Sequence, residues 1–592
     1  MNRCKVLGIV GARLNSSRLP GKHLLDLAGK PLIARIFERL EQIDALDVIV
    51  LATTADDYNL PLVQWAEQAG KELFAYGGDV NDVVGRVDAI VKQYQPQIVV
   101  YFCGDSPLIE PIIASRLIHA LSSTHANESS YDLVELRSSR QDRPFIHEGF
   151  MPWPINTWQR LVASATEVSE REHVGSSLKK EQGLKALYVD DDEVFSRIEH
   201  RISVDTASDY QFMAEIYRRW YAQNPQHSIV SLPWVIDQLL ADESLSHINQ
   251  QVRQKGVNDQ SAKIVLLTHC GESIGLGHLR RTMVLARILQ DRHSAAIKLL
   301  IVGDAIVLPG LELLPHRFIA ANSNADQLGE QLMECHPEAV VIDVAVDRLN
   351  VDFGALLVLM RQQQIVTVAV DGLLEQHELI DLVFIPSFYL APEQRVLAEQ
   401  GKVEFGWDHY FIDPTLQPCP WNGGNKVIVM TGGSDHYGLG RQWPTMLDRA
   451  LPAETVVTWV MGPYAKYPVL PMNSRLIWRV EYAPENLAQL MAQADYALTP
   501  YGVTLFELLK LGKPVVAYHP RNNQQAEIAA FKTAEVARLA KTPEDAVVAL
   551  VTLMSDVNAA RELIIRATKK MANSNGGIKL ATSVMGLLER RQ

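Results

Sequence analysis

Cysteine is scarce in this sequence and never paired at short spacing. The five residues are Cys4, Cys103, Cys270, Cys335 and Cys419 in a chain of 592. An odd, scattered set with no CxxC excludes a disulfide framework and a structural zinc site, and fits reduced thiols in the cytoplasm. Long apolar runs are missing too, since none approaches the roughly 18 residues of a membrane span. The opening MNRCKVLGIVGAR has an apolar stretch too short for a secretory signal, and it runs straight into basic residues. Positive charge is in deficit: 56 Lys and Arg against 69 Asp and Glu leave a formal net charge of −13. That balance argues against a general nucleic-acid binder. There is no Walker A loop, no short repeat and no low-complexity tract. What remains is an ordinary globular composition, 47% hydrophobic and 21% charged. It is too long for one core, so two or three domains are expected.

Apolar segments recur with helical segments between them. CKVLGIV, DVIVLAT, KELFAY and QIVVYFCGD read as buried strands, and PLIARIFERLEQI, LPLVQWAEQAG and VVGRVDAIVKQY as helices. That alternation predicts a mostly parallel α/β sheet. ADESLSHINQQVRQKGVNDQSAK is polar and reads as a linker with some helix. The rhythm restarts at KIVLLTHC, with further strands at AIKLLIVG, AVVIDVA, IVTVAVDG and LVFIPS. A third series runs through KVIVMTGG, TVVTWVMG, RLIWRVE, DYALTP and PVVAYHP. Two successive series suggest two lobes with a cleft between them. The C-terminal PEDAVVALVTLMSDV and AARELIIRATKKM read as packing helices.

Chemistry is expected where strands end, because ligands of α/β sheets bind there. GARLNSSRLPGK follows the first strand. Gly11 lets backbone N–H groups approach a phosphate, and Arg13, Arg18 and Lys22 supply charge. A solvated surface loop is an equal reading of that stretch alone. Asp105 in FCGDSPLIEP follows a buried strand, and Asp205 in HRISVDTASDY follows an apolar-alternating run. Two such carboxylates can hold Mg²⁺ together with phosphate oxygens; each alone could be a helix cap. In the second half, His278 in GLGHLRR sits where strand becomes helix and suits a general base, or a packing role. Gly433 and Ser434 in TGGSD follow a strand and offer backbone and hydroxyl donors for a diphosphate, and Gly502 and Thr504 in YGVTLFE open a helix, whose start favours phosphate. Glu507 lies one turn further in and can accept from ribose hydroxyls. Asn523 and Gln524 follow the next strand and could close the sugar side.

Residues 1 to about 240 resemble the cytidylyltransferases that activate nonulosonic acids and related sugars. The matching pieces are GARLNSSRLPGKHLLDLAGKPL, GGDVNDVVGR with Asp79, Asp82 and Arg86, CGDSPLIEP, REHV at Arg171 to Val174, and SVDTASDY. The resemblance implies that CTP and a sugar give a CMP-sugar and pyrophosphate. Arg13 and Lys22 would then bind the triphosphate, Asp105 and Asp205 would hold Mg²⁺, and Asp82 and Arg86 would belong to the nucleotide site. Such enzymes usually carry an acidic residue after a Gly in the sugar-binding strand region, where this sequence has Trp153 and Pro154.

Residues 262 to about 540 resemble GT-B-fold proteins, and among them the UDP-sugar hydrolase of pseudaminic acid biosynthesis, a relative of the peptidoglycan glycosyltransferase MurG. IGLGHLRR, GWDHYF, TGGSD, PENLAQLMAQADYAL, YGVTLFE and GKPVVAYHPRNNQ carry it. It implies that His278 activates water against a UDP-2,4-diacetamido-2,4,6-trideoxyhexose, while Gly433, Ser434, Gly502, Thr504 and Glu507 hold UDP. The usual RxDxS is here THCGES, with only Ser273 kept. The usual Asp-His-Tyr is Asp343 followed by Val344 and Ala345, and VAVDGLLE keeps Asp371 without a second acid beside it.

The expected fold class is α/β, with a GT-A-like (Rossmann-like) nucleotidyltransferase domain followed by a two-lobed GT-B half. The expected divisions are 1–245, a linker at 246–261, an N-terminal lobe at 262–415 and a UDP-binding lobe at 416–592. The expected partners are small-molecule nucleotides and amino sugars, with no nucleic acid and no membrane span. A homo-oligomer is compatible with this sequence. The alternatives for the second half are a glycosyltransferase or a non-catalytic UDP-sugar-binding module.

Overall fold

The computed structural model describes residues 5–126, 131–138, 146–254, 256, 259–271, 274–412, 416–484, 486–520 and 525–591. The chain divides into two compact units, Met1–Ser261 and Ala262–Gln592.

In the first unit, β1 (Val6–Gly11), β2 (Val48–Thr54), β3 (Glu72–Tyr76), β4 (Ile98–Cys103) and β6 (Phe150–Pro154) form one sheet; β5 (Leu133–Arg137) and β7 (Ala186–Asp190) pair separately. The order is β3-β2-β1-β4-β6. All pairings are parallel except β4 with β6. Parallel strands covered by helices on both faces need apolar residues at nearly every position. That is why VLGIV is buried throughout. The order reverses direction between β1 and β4, which opens a crevice at their carboxyl ends. Gly11 and Gly104 flank it. The Gly104 N–H donates to the Gly11 carbonyl at 3.0 Å, and a Cβ on Gly104 would lie 2.4 Å from that oxygen.

Trp153 and Trp158 pack together in this unit's core, ring centroids 5.9 Å apart. The expected linker begins differently from its reading. Asn249 is buried, and its side-chain amide donates to Asp209 Oδ1 at 3.0 Å and to the Arg201 carbonyl at 3.2 Å. Residues 246–252 contain few large apolar side chains, so this docking rests on polar bonds that hydropathy does not register.

The second unit holds two parallel sheets. The first contains β8 (Lys263–His269), β9 (Ala296–Val302), β10 (His316–Ile319), β11 (Ala339–Asp343), β12 (Val366–Val370), β13 (Leu382–Ile385) and β14 (Val403–Phe405), in the order β10-β9-β8-β11-β12-β13-β14. The second contains β15 (Lys426–Met430), β16 (Val456–Met461), β17 (Ile477–Tyr482), β18 (Tyr496–Pro500), β19 (Val515–Tyr518) and β20 (Arg538–Ala540), in the order β17-β16-β15-β18-β19-β20. Direction reverses between β8 and β11, and again between β15 and β18. Each reversal makes a further crevice. The last helix, Gly576–Glu589, does not pack with the second sheet. Its Leu580, Ala581, Val584 and Leu588 join the first sheet's core beside the helix Gly277–His293. It starts so close to the chain at His409 that a Cβ on Gly576 would lie 2.0 Å from the His409 carbonyl oxygen.

Among the described residues no helix is long and apolar enough to cross a membrane.

Candidate functional site

The crevice of the first unit centres on Lys22. Its Nζ donates to Asp105 Oδ2 at 2.9 Å, to Asp205 Oδ1 at 2.9 Å and to the Val204 carbonyl at 2.8 Å. The two carboxylates, a hundred residues apart in sequence, therefore converge on one point. Asp105 follows β4, as expected. Asp205 follows no strand; it stands in a loop just before the helix Ala207–Tyr221. Its place is set by a capping box between Thr206 and Asp209 and by the Val204 N–H, which donates to the Asp105 carbonyl at 2.8 Å. Apolar alternation in HRISV thus marks burial in a loop rather than a strand.

Electrostatics favour the charged forms of Lys22 and Asp205. Burial alone would lower the Lys22 ammonium, but Asp105 and Asp205 outweigh it and raise its pKa. Burial would raise Asp205, but Lys22, Arg18 and Arg201 hold its carboxyl far below the usual range. Arg18 reaches Asp205 at 3.1 Å. Glu148, which was not singled out in the sequence, is pushed up by burial; it accepts from Ser203 and feels the charge of Asp105.

Arg13 bonds Asn81 Oδ1 at 2.7 Å and Glu172 Oε1 at 2.7 Å. Asp82 is held by partners within the chain. It caps the helix Val83–Tyr94 through the Gly85 N–H, and it accepts two bonds from Arg171 at 2.8 and 2.7 Å. Arg86 is buried, and it donates to the Val80 carbonyl at 2.7 Å. Both order the 80–82 loop that carries Arg13's partners.

In the second unit His278 sits at the start of the helix Gly277–His293. Its Nδ1 lies 2.7 Å from Asp343 Oδ1, at the end of β11. Arg281 grips the same carboxylate at 2.5 and 2.6 Å and reaches Asp371 at 3.1 Å. Burial would raise Asp343, but Arg281 outweighs it and holds the carboxyl low. An ionised carboxylate only accepts, so the proton between the two sits on His278 Nδ1, and Nε2 is the ring nitrogen that Asp343 does not engage. Arg281 is one turn on from His278 in GHLRR; that spacing was the available signal for it.

A cleft of about 330 Å³ opens beside this group. Gly433, Ser434, Gly502, Thr504 and Glu507 all line it, as do Gly277, Arg280, Arg281 and Arg348. His278 adjoins these residues without itself lining the cleft. The Gly432–Gly433 turn follows β15, and the helix Val503–Lys510 begins after β18, so the two donor sets meet at the second reversal point. Asn523, Gln524 and Ser273 lie outside the described residues.

The cytidylyltransferase family model matches residues 7–228. The N-terminal unit carries a cytidylyltransferase domain. An uncharacterised protein of Methanocaldococcus jannaschii is 26% identical over 256 residues, 43% of this chain and 98% of its own length. The 3-deoxy-manno-octulosonate cytidylyltransferase of Escherichia coli is 31% identical over 168 residues, 26% of this chain and 66% of that enzyme. That of Anaeromyxobacter dehalogenans strain 2CP-1 is 38% identical over 116 residues, 19% of this chain and 46% of that enzyme. This chain thus spans between about half and two thirds of those two relatives. Among solved structures, a cytidylyltransferase from Leptospira borgpetersenii is 20% identical, covering 42% of this chain and 99% of its own, with TM-score 0.36. Acinetobacter baumannii MurG is 16% identical, covering 55% and 99%, with TM-score 0.38.

The cytidylyltransferase domain places Lys22, Asp105 and Asp205 together at the crevice between β1 and β4. The lysine ammonium, a cation within hydrogen-bond reach of both carboxylates, shows that the two fit one shared cation. No cluster of three or more potential metal ligands occurs among the described residues. A Mg²⁺ there would take its other ligands from phosphate and water.

Proposed function

We propose that this chain is a bifunctional enzyme. The cytidylyltransferase domain transfers CMP from CTP to a nonulosonic acid of the pseudaminic type. The second unit releases UDP from a UDP-2,4-diacetamido-2,4,6-trideoxyhexose. The observation that carries the first activity is the convergence of Lys22, Asp105 and Asp205 at the crevice of a cytidylyltransferase domain. The Escherichia coli and Anaeromyxobacter dehalogenans relatives are cytidylyltransferases of 3-deoxy-manno-octulosonate, a sugar acid, which supports an acidic sugar as the acceptor.

In the first reaction an acceptor hydroxyl oxygen attacks the α-phosphorus of CTP. The bond from that phosphorus to the bridging oxygen breaks, pyrophosphate departs, and the hydroxyl proton passes to solvent. Such chemistry needs positioning and charge neutralisation more than covalent help. Arg13, Arg18 and Lys22 supply the positive charge. Each now faces a carboxylate of the chain, so the triphosphate takes the place of Glu172 and of the lysine–aspartate contacts. Mg²⁺ held by Asp105 and Asp205 would supply further charge neutralisation.

In the second reaction water attacks the anomeric carbon, and the bond to the UDP oxygen breaks. His278 Nε2 accepts the water's proton, and Asp343 steadies the resulting imidazolium. The donors at Gly433, Ser434, Gly502 and Thr504 take the charge that develops on UDP.

The test is nucleotide chromatography on the whole protein. With UDP-2,4-diacetamido-2,4,6-trideoxy-altrose, UDP should appear, and His278→Ala should abolish it. With CTP and a nonulosonic acid, CMP-sugar should appear, and Lys22→Ala should abolish it. Failure of UDP to appear would leave the second unit a glycosyltransferase or a binding module.

A further inference from the structure

Among the described residues, four charged ones line the cleft of the second unit: Arg280, Arg281, Arg348 and Glu507. This is a positive surface in a chain of formal net charge −13. Arg281 is spent on Asp343 and Asp371. Arg280 and Arg348 are exposed, and neither pairs with a carboxylate among the described residues. Arg280 stands in the first turn of the helix Gly277–His293. Arg348 ends the short turn Val346–Arg348 that follows β11. Both belong to the first lobe, while the glycine turn Gly432–Gly433 and the helix start Gly502–Thr504 belong to the second. All line the same cleft.

We infer that Arg280 and Arg348 grip the pyrophosphate of a nucleoside diphosphate from the lobe opposite its backbone donors. This rests on the reading of the cleft as a nucleotide site. Two guanidiniums without internal partners keep their full bonding capacity for an anion, and their planar forks match phosphate oxygens. The ligand class follows from the lining. Glu507 is the one carboxylate among the described lining residues and would repel a phosphate placed beside it, so the pyrophosphate sits toward the arginines and the ribose toward Glu507. Charge from the first lobe also ties occupancy to both lobes. On cleavage of the sugar–oxygen bond, the electron pair stays on the departing diphosphate, and these two side chains neutralise it.

The experiment is calorimetric titration of the full chain carrying Lys22→Ala and Asp105→Asn, which silence the other nucleotide site. UDP, uridine and inorganic pyrophosphate are the titrants. Adding Arg280→Gln or Arg348→Gln should weaken UDP and pyrophosphate each by about tenfold or more, the worth of one charged hydrogen bond. Uridine should stay within twofold. UDP affinity within twofold of the parent for both variants would overturn the assignment. So would weakening for pyrophosphate alone, which would mean that the arginines serve a free phosphate. If the parent binds neither UDP nor uridine, the nucleotide reading of the cleft fails first, and the arginine assignment falls with it. Melting temperatures within about 2 °C of the parent establish that the variants are folded.

Discussion

Asp343 is a small residue with two tasks. It fixes the His278 tautomer and it neutralises a buried guanidinium. Asp343→Asn keeps the shape and removes the charge. UDP release should then slow by about 10²-fold or more, with UDP affinity within a fewfold. An unchanged rate would remove His278 as the base. His23 shows the opposite electrostatic case. It is buried beside Lys22, and burial first, then that ammonium, push its pKa down to about 3. The folded state therefore holds it neutral where the unfolded chain would protonate it. Its contribution to stability is complete above about pH 6.5 and is lost as pH falls from there toward 3, because the unfolded state binds more protons in that window. The slope from this one group approaches about 1.4 kcal/mol per pH unit. Denaturant unfolding of His23→Gln between pH 7 and 4 should show a shallower fall than the parent protein; an identical slope would show that other groups govern it.

At the scale of elements, glycines decide how closely strand ends approach the turns that hold ligands. Gly462, directly after β16, lies so near the Gly432–Gly433 turn that a Cβ would sit 2.4 Å from the Gly433 carbonyl oxygen and 2.5 Å from its Cα. Backbone atoms cannot rotate away as a side chain can. Gly462→Ala must therefore push the turn out of place. UDP affinity should fall by about tenfold, while CTP turnover in the other unit stays unchanged. Retained UDP affinity would mean that the turn does not carry the diphosphate. The short helix holding Arg171 and Glu172 works in a related way. It reaches across to Asp82 and Arg13, and so ties the 80–82 loop to the basic loop.

At the scale of the whole molecule, the two units have separate cores and separate crevices. Their stabilities should respond to separate ligands, by mass action on each folded unit. Calorimetric melting with CTP and Mg²⁺ should raise one transition, and melting with UDP should raise the other. Lys22→Ala should cancel the first shift and leave the second. A single transition moved equally by both ligands would show that the units unfold as one. The last helix adds a detail to this picture. Gly576–Glu589 returns to the first lobe's core, so the two lobes of the second unit share their packing and should melt together.

Much of this was readable residue by residue along the chain. Buried parallel strands are continuous apolar runs, and every long one was legible. So was the placement of Lys22, Asp105, Gly433 and Thr504 in loops at strand ends and helix starts, because those are local features. The short edge strands β10, β14 and β20 were not legible, since three or four residues carry too little pattern and gain their form from the neighbour they pair with. Nor were the partners. Asp82 and Arg86 have the residue types of a nucleotide site, and nothing local in the sequence announces that Arg171 pairs with the one and the Val80 carbonyl accepts from the other. Arg281 looks like any helix arginine until Asp343 arrives beside it from β11. Sequence determines which groups stand at which strand ends, because that depends on local periodicity. Which charges meet, which are spent on one another and which, like Arg280 and Arg348, stay free for a ligand depends on distances of a few ångströms between distant segments, and only the tertiary structure decides those.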